Sequence, residues 1–76
     1  MIRARLIDGT IRAYRDLAVG DLFQAVAKDQ PVHPLTLEPA REVYARVAEP
    51  PRPAPPIGWA VLIEVGKLDE LRRKAH

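Results

Sequence analysis

Arg3, Arg5, Arg12 and Tyr14 are the residues of this chain whose types and spacing best suit chemistry, and that chemistry is the binding of an anion. They flank Asp8-Gly9, and Asp-Gly between two alternating runs predicts a β-hairpin with a two-residue loop. Gly9 accepts a positive φ there without steric cost. The resulting register sets Arg5 opposite Arg12, Arg3 opposite Tyr14 and Ile7 opposite Thr10 on one face. Leu6 then meets Ile11, and Ala4 meets Ala13, on the other. Like charges directly across a ladder repel by about a few tenths of a kcal/mol. Phosphates, an acidic partner, or the chain's own Asp16, Glu38 and Glu42 would relieve that repulsion. With Tyr14 alongside to stack a base, the face suits nucleic acid. The plainer reading is the solvated side of an amphipathic hairpin, since antiparallel sheets commonly keep one wet face.

Other chemistries have less to stand on. The chain has no Cys and no Ser, so the usual nucleophiles are missing, and Thr10 and Thr36 are its only aliphatic hydroxyls. Asp8, Asp16, Asp21 and Asp29 fall at predicted turns, where aspartate serves turn geometry. The four glycines are scattered at 9, 20, 58 and 66 and form no phosphate loop. His33 and His76 lack the further ligands a metal site needs. The reading is therefore of a non-enzyme with no metal and no cofactor.

A second candidate surface is Pro50-Pro51-Arg52-Pro53-Ala54-Pro55-Pro56, five prolines in seven residues. Such a run predicts an extended polyproline II spacer of roughly 20 Å. It holds two overlapping P-x-x-P patterns around Arg52, and so could offer a ligand to an aromatic groove. A rigid connector between strands is the simpler expectation. Pro51, Arg52, Pro53, Pro55 and Trp59 form the candidate interface, although Trp59, the single tryptophan, is expected chiefly to fill the core.

The positioning elements follow from periodicity. Asp16 to Asp21 reads as a turn, and Leu22 to Lys28 as a strand, with a helix capped by Asp21 as the competing assignment. Asp29-Gln30-Pro31 reads as a turn, and Pro31 and Pro34 allow only a short edge strand within 32–37. Glu38 to Glu49 fits a helix capped by Thr36, yet Glu42 to Ala48 alternates cleanly and is assigned as a strand. Trp59 to Val65 is nearly all apolar and predicts a central strand buried on both faces. Lys67 to His76 predicts a short helix with Leu68, Leu71 and Ala75 as its apolar stripe. Asp69 and Glu70 come early, Arg72, Arg73 and Lys74 late, and Glu70 and Lys74 are spaced as an i, i+4 pair.

Seventy-six residues predict one small domain, 1–76, with the connector 50–56 inside it. A chain this short buries only about 60% of its unfolded surface, and it has no disulfide to compensate, so a partner subunit is a natural source of stability. Charge is segregated: residues 1–15 carry net +3, residues 16–49 net −3 and residues 50–76 net +2. Such blocks can neutralise one another within one fold or between copies. The N-terminus lacks the apolar run of a signal peptide, and no apolar run is long enough to span a bilayer, so the cytoplasm is the expected location.

These readings define an α+β, mainly β fold: a small antiparallel sheet curling toward an SH3-like half-barrel, with a short C-terminal helix. In its overall look, a small Cys-free chain rich in Arg, Ala and Pro, the protein resembles small accessory proteins of phages and prophages. The exposed proline segment, the segregated charge and the thin core point to a non-enzymatic assembly, structural or inhibitory subunit that binds a protein partner or its own copies. The alternative is a small-barrel nucleic-acid-binding protein using the basic hairpin face.

Overall fold

The computed structural model describes residues 2–56 and 58–74. The chain folds as a mainly β structure with one short helix. Its elements are β1 (Ile2–Leu6), β2 (Ile11–Arg12), a 3₁₀ turn (Tyr14–Asp16), β3 (Leu22–Ala27), β4 (Gln30–Val32), β5 (Tyr44–Val47), β6 (Arg52–Ala54), β7 (Gly58–Ala60), β8 (Ile63–Gly66) and α1 (Leu68–Lys74). A six-stranded antiparallel sheet runs β2-β1-β3-β5-β8, with β4 paired to the far half of β3. β6 and β7 form a separate two-stranded ribbon. The main sheet is open and does not close into a barrel, so of the expected fold the mainly antiparallel sheet and the short C-terminal helix are present.

β3 is the central strand because its sequence can be buried on both faces. Phe23, Gln24, Ala25 and Val26 are all buried. Along one face Leu6 pairs with Phe23, Ala4 with Ala25, and Phe23 in turn with Ala45. Three alanines around Phe23 leave the space its ring fills, and full burial of such a side chain contributes about 1.5–3 kcal/mol. Leu17 and Val47 complete this core, with Leu6, Tyr14, Val61 and Ile63 packed at its rim. Tyr14 meets Phe23 edge-on, ring centroids 5.6 Å apart.

The strands expected near 22–28 and 42–48 are present as β3 and β5, and no helix forms over 38–49. Burial alternates strictly along β5, the period-two signature that the helical assignment lacked. Leu71 anchors α1 and is buried. Gly66 makes room for it: a Cβ there would lie 3.3 Å from the Glu70 carboxylate and 3.8 Å from Leu71. The Glu70–Lys74 pair and the helix end at 75–76 lie outside the described residues and side chains.

Three expectations are corrected. The hairpin register is Ala4 with Arg12 and Arg5 with Ile11, one residue away from that predicted, so Arg5 and Arg12 do not face each other. The loop holds three residues rather than two. Leu6 N–H bonds Thr10 C=O at 2.8 Å, and Gly9 N–H bonds Leu6 C=O at 2.9 Å. Gly9, at φ +92°, is the left-handed residue that closes a turn-plus-bulge loop. Second, Trp59–Val65 is not one central strand. It breaks at Val61-Leu62 into β7, in the ribbon, and β8, at the sheet edge. Third, the proline segment is not an extended spacer. Arg52–Ala54 pairs with Gly58–Ala60, turning through a cis Pro55–Pro56 bond. A two-stranded ribbon leaves each strand one unpaired side, which accommodates Pro53's missing N–H. A smaller shift moves the turn before β4 to Lys28-Asp29, both at positive φ, and residues 34–36 form a turn where an edge strand was allowed.

Candidate binding surfaces

The one-residue register change redistributes the four residues of the proposed hairpin face. Arg5 is half-buried on the side of the sheet away from Phe23, and its Nη2 donates to Gln24 Oε1 at 3.0 Å. Gln24 is itself buried and donates to the Arg41 carbonyl at 2.6 Å. Arg5 is thus held in an internal polar chain. Tyr14 is half-buried, with its ring on Phe23 and its hydroxyl buried without a hydrogen-bond partner among the described residues. Burial holds the Tyr14 phenol pKa above its ordinary value, because the phenolate would lose its hydration. Tyr14 is therefore a packing residue rather than an exposed stacking platform.

Arg3 and Arg12 do line one hollow, together with Arg15, which was not among the candidate residues, and Trp59, which was assigned to the proline-segment interface rather than to the hairpin face. An open hollow of about 590 Å³ lies between the N-terminal hairpin and the ribbon, and Arg3, Ile11, Arg12, Arg15, Tyr14 and Trp59 line it. The ladder pairs Pro53 with Trp59, which puts both on the ribbon face turned toward the 3₁₀ turn. Trp59 is 45% exposed there, not in the core. The ion pairs among the described residues are Arg46–Glu64 and Arg52–Glu49, both at 2.8 Å, so none involves Arg3, Arg12 or Arg15. Asp8 feels the charge of Arg12. Its carboxyl is held below the usual range first by the Thr10 N–H it accepts at 2.9 Å, with Arg12's charge a lesser contribution. Arg15 belongs to the same basic run that marked the hairpin. Trp59 reaches the hollow only through the folding back of the proline segment, which no local pattern indicates.

The ribbon's other face carries Arg52 and Ala60, which are paired across the ladder. Beside them lies a shallower depression of about 310 Å³, lined by Glu49, Pro50, Arg52, Ala60, Val61 and Leu62. Arg52 is tied to Glu49, and Leu62 is 56% exposed. Of the proposed interface, Arg52, Pro53, Pro55 and Trp59 are exposed and Pro51 is half-buried.

His33 has a local task. Its Nδ1 accepts the N–H groups of Leu35 at 3.1 Å and Thr36 at 3.4 Å, closing the turn that follows β4. No three of His, Cys, Asp and Glu gather as a metal site among the described residues. No helix among them is long and apolar enough to cross a membrane. No family model matches the chain, and no match was found among curated proteins or among solved structures.

Proposed function

We propose that this chain is a non-enzymatic protein–protein interaction module, an assembly, structural or inhibitory accessory subunit, and that the β6–β7 ribbon is its docking element. The observation that carries the reading is the ribbon's isolation. Two strands without a third are marginally stable in water, yet β6 and β7 stand apart from the main sheet with nearly every residue exposed. Covering the Ala60–Leu62 face with a second copy of the chain would remove apolar surface from water and order the ribbon. The thin core gives the same association a stabilising effect on the whole fold.

Size-exclusion chromatography with light scattering tests this across a wide concentration range. The wild type is expected to exceed the monomer mass of 8.5 kDa as concentration rises, with a melting temperature that rises in parallel. Leu62→Glu is expected to remain monomeric. A strict monomer, with melting independent of concentration, overturns the proposal.

A further inference from the structure

Independently of how the ribbon's other face is used, we infer that the hollow between the hairpin and the ribbon binds single-stranded nucleic acid, with Trp59 stacking a base and Arg3, Arg12 and Arg15 holding phosphates. Three kinds of observation support it. The first is charge: three exposed arginines, from β1, β2 and the 3₁₀ turn, line one hollow, and none is in an ion pair among the described residues. The second is the indole. An exposed tryptophan beside arginines offers a π-face that any base can stack on, while the cations track the backbone. The third is shape. A second open hollow, of about 360 Å³, shares Arg3 and Ile11 with the first and adds Lys28, Val26 and Asp29. The two are open and adjoin one another from the ribbon across β1 to the β3–β4 turn, which suits an extended polymer better than a small anion. Together they carry four cations against the single acid Asp29. An acidic polypeptide would satisfy the arginines but not the indole face, and a duplex hides its bases from stacking.

Trp59 is the single tryptophan, so its fluorescence reports on the site directly. Adding an oligothymidylate of about 12 nucleotides, long enough for one such site, is expected to quench it saturably. Three phosphate contacts give a log–log salt slope of about −2. In Arg12→Glu/Arg15→Glu the quenching is expected to be lost at moderate salt. Arg72→Glu/Arg73→Glu changes net charge equally on exposed positions of α1 and is expected to leave it intact, as is Leu62→Glu. Anisotropy of the labelled oligonucleotide should show Trp59→Ala binding at least about fivefold more weakly, the effect of losing one stacked base. Circular dichroism confirms that each variant is folded. No quenching at low salt overturns the inference. So does equal quenching by polyglutamate or by a duplex, or equal loss in the α1 control, since each assigns the effect to bulk charge.

Discussion

Tyr14 is a residue whose chemistry and position disagree. Its ring belongs to the core, while its hydroxyl is buried with no partner among the described residues. An unsatisfied buried hydroxyl costs about 1–3 kcal/mol relative to its hydrated state. Tyr14→Phe keeps the edge-on contact with Phe23 and removes that cost. The variant is expected to be as stable as the wild type or more so, by up to about 1 kcal/mol, seen as a higher urea midpoint at unchanged m-value. A loss larger than about 1 kcal/mol would mean that the hydroxyl has a partner. Arg46 shows a milder form of the same tension: Nη2 bonds Glu64 directly across the ladder, while Nε is buried and unpaired. At this scale the sequence was informative about type and poor about placement. The basic run around Asp8-Gly9 marked the right neighbourhood, yet Arg5 turned inward to Gln24, nineteen residues away. Such a contact depends on strand pairing that no local window contains.

Among the elements, the β3–β4 hairpin carries the plainest local strain. Lys28 and Asp29 sit at φ 50° and 64°, values that cost a side-chain-bearing residue roughly 1–2 kcal/mol. Replacing the pair by Asn-Gly, which suits such a turn, is expected to stabilise the protein by about 1 kcal/mol in thermal melts. An unchanged melting temperature would show that the flanking strands already fix the turn. The sequence did not mark this turn because Pro31 and Gln30 drew the boundary one step later. Elsewhere periodicity was sufficient: the alternation of Glu42–Ala48 is β5, and Leu71 with its early acids and late bases is α1. It failed at Trp59–Val65, where a continuous apolar run was read as burial. The start of that run, Trp59-Ala60, pairs instead with Pro53 and Arg52 of the proline segment, and composition cannot report which strand will be a segment's neighbour.

In the molecule as a whole, stability is concentrated around β3, which pairs with β1 on one side and with β4 and β5 on the other. Hydrogen exchange should reflect this, with the amides of Phe23 to Val26 slowest and those of Arg52 to Ala60 among the fastest. Protection of the ribbon equal to that of β3 would contradict the distribution of burial. The segregation of charge read from the sequence persists in part. The ion pairs of the described residues link residues 46 to 64 and 49 to 52, and the N-terminal arginines stay outside them. Arg3, Arg12 and Arg15 therefore remain at the surface around one hollow, while Arg5 is held against Gln24.

The hairpin tip also governs where Arg12 points. Side chains alternate between faces with a repeat of two, so an odd count of residues at the bend gives the returning strand one parity and an even count the other. With Ile7, Asp8 and Gly9 forming the bend, Arg12 shares a face with Ala4. Shortening the bend while Leu6 still met Thr10 would leave these partners unchanged, whereas a two-residue bend at Asp8-Gly9 alone would slip the register by one and set Arg12 opposite Arg5. Arg12 would then move to the face of Arg3 and Arg5 although no arginine had been mutated, so the choice between these two bends acts as an addressing device for charge.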